Sequence, residues 1–134
     1  LNPQRRKIMA NLPERIRQAW KELDGPPVFA TVDAQGAPNV IYATCINFFG
    51  DDRMVVADNY FKKTRQNLRH GGKKGSILFI CKDGKAYQVK GSLEYHTEGE
   101  VFDHMKTWNP AKHPGHAVAV LSVEECYCGG ERVE

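Results

Sequence analysis

The strongest constraint on this chain is the spacing of its turn chemistry. Asp33-Ala34-Gln35-Gly36, Gly50-Asp51-Asp52 and Asp83-Gly84 each separate two short runs of mostly apolar, β-branched or aromatic residues. A polar or glycine turn between two such runs reverses the chain into an antiparallel hairpin. Strands are therefore expected over 28–32, 39–49, 53–57, 76–82, 86–97 and 116–126. Three helical patterns interrupt them. Asn11 is placed to cap a first helix whose Pro13 and Glu14 suit an opening turn; Ile16, Ala19, Trp20 and Leu23 share one face, and Asp24-Gly25-Pro26-Pro27 ends it. A second helix follows the run 53–57, and a third over 98–108 carries Val101, Phe102 and Met105 at helical spacing. Six strands joined mainly by hairpins, without regular β-α-β alternation, point to a mainly β, α+β chain. Its expected form is a closed or split antiparallel barrel, with residues 1–27 as a helical lid.

At 134 residues the chain suits one domain, 1–134, with enough material for a core. Hydrophobic residues make up 41% and charged residues 26%, and no apolar run approaches the ~20 residues of a membrane span. No charged-then-apolar leader follows the first leucine, so the expected compartment is the cytoplasm. A net charge of +3 is too mild for a protein that relies on neutralising a nucleic-acid backbone, yet it leaves local basic patches for small anions. Four cysteines, Cys45, Cys81, Cys126 and Cys128, are too few for a disulfide scaffold and are expected as thiols. His113 and His116 with Cys126 and Cys128 have the chemistry of a zinc site. The strand expected between them, rising ~3.3 Å per residue, holds the two pairs apart, so no metal is expected. Cys126 and Cys128 are read as buried or rim thiols without a metal, the alternative being exposed tail thiols that exchange electrons with a bound cofactor or a partner.

One stretch, Asp58-Asn59-Tyr60-Phe61-Lys62-Lys63-Thr64-Arg65-Gln66-Asn67-Leu68, carries the chemistry. Two lysines and a hydroxyl meet where a helix begins, where free amide N–H groups and the positive dipole end already favour an anion. A phosphate monoester suits that set, with Asn59 and Tyr60 placed to hold the planar remainder of a phosphorylated cofactor. A plain solvated basic helix start is the competing reading. No GxGxxG is present, and Gly71 to Ser76 fails as a phosphate loop because a helix precedes it and a strand follows.

Four ordered blocks resemble the FMN-binding split barrels related to pyridoxamine 5′-phosphate oxidase, in particular their short single-domain members. These are Phe29-Ala30-Thr31-Val32-Asp33 with Gly36, Pro38, Asn39 and Val40; Arg53-Met54-Val55-Val56; Lys63-Thr64 with Asn67-Leu68; and Tyr87-Gln88-Val89-Lys90-Gly91. The resemblance implies a six-stranded antiparallel split β-barrel with flanking helices, forming a homodimer with FMN in a groove between subunits. It further implies that Lys63 and Thr64, with Lys62 and Asn67 beside them, hold the phosphate. Residues 53–58, among them Arg53, Val55, Val56, Ala57 and Asp58, would line the isoalloxazine through backbone groups with Asn59 beside them, Asn39 and Val40 would come from the neighbouring hairpin, and Gln88 would hydrogen-bond the cofactor. Trp108 would reach the flavin from the other subunit.

Flavin supplies redox chemistry by itself, so no catalytic side chain is required, and the five scattered histidines show no nucleophile spaced around them. No counterpart of the oxidase's arginine- and histidine-bearing substrate segment is found, so oxidation of pyridoxamine phosphate itself is not expected. The expected function is that of an FMN flavoprotein, an oxidoreductase or electron carrier serving a small molecule or a redox protein. A non-catalytic module for a deazaflavin or haem is the alternative. A nucleic-acid module using Lys62, Lys63, Arg65, Arg69, Lys73 and Lys74 is disfavoured because few aromatics interleave that cluster.

Overall fold

The computed structural model describes residues 11–134. In chain order it contains α1 (Glu14–Trp20), β1 (Val28–Val32), β2 (Pro38–Tyr42), β3 (Ile46–Phe49), β4 (Arg53–Asp58), α2 (Lys63–His70), β5 (Lys74–Ile80), β6 (Ala86–His96), α3 (Glu100–Trp108), β7 (Ala117–Cys128) and β8 (Glu131–Val133). Every pairing is antiparallel, in the order β2-β1-β5-β6-β7-β4-β3, with β8 added to β7. The two ends of this path, β2 and β3, are consecutive in the chain and separated only by residues 43–45. At 3.8 Å per Cα step, three residues cannot span an open seven-strand sheet, so the sheet must curl until its ends meet. They meet without pairing. That seam is the split of a split barrel.

Alternation along the strands fills the inside. Phe29, Met54, Val56, Ile77, Phe79, Val89, Leu93, Ala119 and Leu121 form one buried cluster, closed at one end by α1. Ile16 has no solvent exposure, which for such a side chain is worth roughly 1.5–3 kcal/mol. Trp20 lies edge-on to Phe79 at 4.9 Å and to Phe48 at 5.9 Å. A second, outer cluster joins Val55, Ala57, Val118 and Val120 to Met105, with Val101, Phe102 and Trp108 of α3 packed against it. β4 is therefore covered on both faces, which is why Met54-Val55-Val56-Ala57 is a continuous apolar run rather than an alternating one.

The structure corrects several expectations. The described residues form eight strands, not six. The single strand expected over 39–49 is broken at 43–45, where the Ala43 N–H turns to the Pro27 carbonyl and the Cys45 carbonyl accepts from Ala57. Residues 131–133 return as β8 beyond Gly129-Gly130. Asn11 does not cap α1: the cap position is Pro13, with no side-chain bond. Cys126 is not an exposed tail thiol but fully buried on β7, and burial pushes its thiol pKa up to about 12. Part of the lid segment, residues 1–10, lies outside the described residues. Among the described residues no helix is long and apolar enough to cross a membrane, and no cluster of His, Cys, Asp and Glu that could hold a metal occurs.

Candidate functional site

A cleft of about 450 Å³ opens at the seam. One wall is Asn39, Ile41 and Tyr42 of β2 with the connecting residues 43–45; the other is Ala57 of β4, followed by Asn59, Tyr60 and Phe61 and by Lys62, Lys63 and Thr64 at the start of α2. His113 completes the rim. Among the described residues β2 and β3 are consecutive strands that do not pair, and the cleft opens beside the 43–45 link between them, so space for a ligand follows from the topology.

Each chemical group is positioned by an identifiable device. β4 ends at Asp58, whose carboxylate bonds Arg65 Nε at 2.7 Å and Nη2 at 3.0 Å, the Tyr95 hydroxyl, and the Phe61 N–H at 3.0 Å. Burial opposes that charge, but the hydrogen bonds and the guanidinium outweigh it and hold Asp58 below the usual carboxylate range. The same network raises Arg65, and burial together with Asp58 raises Tyr95 to about 12. This network fixes the turn from β4 into α2. Intrahelical bonding begins with Gln66 N–H on the Lys62 carbonyl, no side chain caps Lys62, and no acid stands in the first turn. The amides of Lys63, Thr64 and Arg65 thus have no helical acceptor, while Lys62 and Lys63 add two ammonium groups. Thr64 is buried and its Oγ1 accepts from Asn39 Nδ2 at 3.1 Å, tying α2 to β2 and leaving the hydroxyl proton free for another acceptor.

Of the residues singled out from the sequence, the structure brings Asn39, Ala57, Asn59, Lys62, Lys63 and Thr64 around this cleft. Others lie elsewhere. β4 is paired with β3 on one side and β7 on the other, so the backbone groups of Arg53, Val55 and Val56 are committed to the sheet. Val55 and Val56 are core, the Arg53 guanidinium lies 4.6 Å from the Phe49 ring centre, and the Asp58 side chain is spent on Arg65 and Tyr95. Asn67 is buried, donating to Thr31 Oγ1 at 3.0 Å. Val40 is exposed on the edge strand. Gln88 donates to Ser76 Oγ at 2.7 Å on the outer face of β6. Trp108, the last residue of α3, packs against the outer cluster, its indole N–H 3.3 Å from His104 Nδ1. The sequence reading missed Ile41 to Cys45 and His113, which reach the cleft only through the curling of the sheet.

A family model described as pyridoxamine 5′-phosphate oxidase matches residues 12–128. The uncharacterised protein MJ0282 of Methanocaldococcus jannaschii is 33% identical over 114 residues, 80% of this chain and 75% of that protein. Among solved structures, HupZ of Group A Streptococcus superposes with a TM-score of 0.78 at 24% identity, covering 92% of this chain and 99% of that one. An FMN-binding protein of Syntrophomonas wolfei superposes with a TM-score of 0.73 at 23% identity, covering 86% and 84%. Below 25% identity these superpositions speak for the fold.

Proposed function

The chain belongs to the pyridoxamine 5′-phosphate oxidase family, and from that membership and the cleft we propose that it is an FMN-binding flavoprotein, an oxidoreductase or electron carrier. The observation that carries the reading is the convergence of Lys62, Lys63 and Thr64 at an uncapped helix start that opens into the cleft. Two cations, a hydroxyl proton and first-turn amides match a phosphate monoester. The adjoining walls of Ile41, Ala43, Ala57 and Phe61 match a flat, largely apolar ring. Bound flavin supplies the redox chemistry. The chain's own residues hold the phosphate, orient the ring and set who reaches it.

A second copy completes the site in this reading. Val40, Tyr42, Leu78 and Ile80 are large, exposed and apolar, and Gln88 stands opposite Leu78 in the β5–β6 register. A partner docked on this face places its own Gln88, and from α3 its Trp108, towards the cofactor. Four free thiols are the state that a reducing cytoplasm maintains. The electron partner is a small molecule or another redox protein.

FMN titration of wild type against Lys63→Ala and Thr64→Ala tests the reading. Losing charge-assisted phosphate contacts is expected to weaken binding by roughly 2–4 kcal/mol for the pair. A wild-type protein that stays colourless in excess FMN sinks it. The second reading is a non-catalytic module for a deazaflavin or haem. His113 at the rim is the observation favouring haem, since imidazole ligates haem iron; a Soret band on haem addition, with no flavin uptake, would select it.

A further inference from the structure

The cleft rim holds one group that the phosphate and ring contacts leave without a task. The segment 109–116 has no regular structure, yet it is firmly tied. The buried Asn59 pairs reciprocally with Asn109: Asn59 Nδ2 donates to Asn109 Oδ1 at 3.1 Å, and Asn109 Nδ2 donates to Asn59 Oδ1 at 2.9 Å. The same Asn59 Oδ1 accepts the Gly115 N–H at 2.9 Å. Lys106 Nζ donates to the Pro114 carbonyl at 2.9 Å, and the His116 N–H donates to the Asp58 carbonyl at 2.9 Å. Both ends of the segment are thus anchored to the end of β4, and His113 lies between the anchors.

The imidazole is held a second time. His113 Nδ1 lies 3.0 Å from the Tyr60 hydroxyl, with the rings edge-on at 86° and 5.5 Å between centres. A phenol O–H is a strong donor and an imidazole nitrogen a strong acceptor, so we assign the Tyr60 O–H as donor to Nδ1, which leaves the ring N–H on Nε2. Among the described residues no hydrogen bond engages that Nε2. A ring fixed by its loop and by its neighbour, with its remaining donor uncommitted at the rim of a cleft, has the supported geometry of a recognition group.

We infer that His113 is a specificity residue of the cleft, its Nε2–H donating to a carbonyl oxygen or unprotonated nitrogen on the edge of the planar ligand, with Tyr60 and Asn59 as positioning residues. The inference rests on the cofactor reading above. It adds a chemical requirement: the bound ring must present an acceptor edge to the His113 side of the cleft.

The test compares wild type with His113→Ala, His113→Gln and Tyr60→Phe. For each, the FMN dissociation constant and the positions of the bound flavin's absorption bands are measured, with thermal melting as a folding control. His113→Ala is expected to weaken FMN about tenfold, the worth of one good hydrogen bond, and to shift the bands. His113→Gln, which keeps a donor, is expected to recover most of the affinity and the wild-type spectrum. Tyr60→Phe should fall between, since the ring remains but its hold is lost. Unchanged affinity and bands in His113→Ala overturn the inference while leaving the flavin reading intact, and so does a Gln variant no better than Ala. A wild type that takes up no FMN overturns both.

Discussion

Asp58 has no solvent exposure, and its two carboxylate oxygens are shared among Arg65, Tyr95 and the Phe61 N–H. The resemblance gives Asp58 a place beside the ring through its backbone; its carboxylate is spent on the clamp that sets where α2 starts. Asp58→Asn leaves a partly buried guanidinium without its counter-charge and should cost about 2–4 kcal/mol in chemical denaturation. Its pH signature follows from the direction of the shift. Because the folded pKa lies below the unfolded value of 3.8, the stabilisation is fully present above that value and is lost as pH falls through the folded pKa. Denaturation midpoints between pH 5 and pH 2 should therefore fall less steeply in Asp58→Asn than in wild type. Cys126 works on the alkaline side. Its thiol is raised from 9.0 to about 12 by burial, so its contribution is present below pH 9 and is lost as pH climbs towards 12. Cys126→Val should flatten the alkaline limb of the stability curve, and in the native wild type a thiol reagent should leave Cys126 unmodified.

Between β6 and β7 the register slips at Lys90/Gly91, and Gly91 shows why a side chain is excluded there. A Cβ on Gly91 would lie 1.9 Å from the Ser122 carbonyl oxygen, on the backbone of the paired strand. Gly91→Ala must push apart the longest pairing of the barrel and is expected to cost about 3 kcal/mol or more. Gly130→Ala, where nothing lies within 4 Å of the added atom, should stay within about 0.5 kcal/mol in the same urea titration. Glycines also explain which elements could be read beforehand. The β1–β2, β3–β4 and β5–β6 hairpins carry Gly36, Gly50 and Gly84 at positive φ, and each was legible because only glycine enters that region freely. Gly129, also at positive φ, is the same kind of signal for the β7–β8 hairpin. The break at 43–45 was silent. Ala43-Thr44-Cys45 contains no turn-forming residue, and what stops the strand is distant: the Pro27 carbonyl on one side and Ala57 on the other. The same distinction divides the cleft. Asn59 to Thr64 are contiguous and could be read locally, whereas Tyr42, Cys45 and His113 enter it only after the sheet has curled.

The whole molecule leaves one question that its own surface poses. Val40 and Tyr42 lie on the free edge strand β2, 61% and 75% exposed, and Leu78 and Ile80 extend the same outer face from β5 across β1. An apolar face running to an unpaired strand edge invites association unless another surface covers it. A second copy is the proposed cover, and Leu78 and Ile80 are the residues on which to test it, because neither lines the cleft. Leu78→Asp with Ile80→Asp puts two desolvated charges into the contact without touching Lys62, Lys63 or Thr64. Wild type should sediment at twice the chain's mass and the double variant at the single mass, with little change in thermal melting, since both side chains are already exposed in one protomer. FMN affinity then separates two roles of the contact. If the partner supplies Gln88 and Trp108 to the ring, affinity must fall together with the dimer, and raising protein concentration must restore both in step. A monomeric double variant that binds FMN as tightly as wild type would place the whole site within one chain. A wild type that is monomeric while holding flavin would remove the second copy altogether.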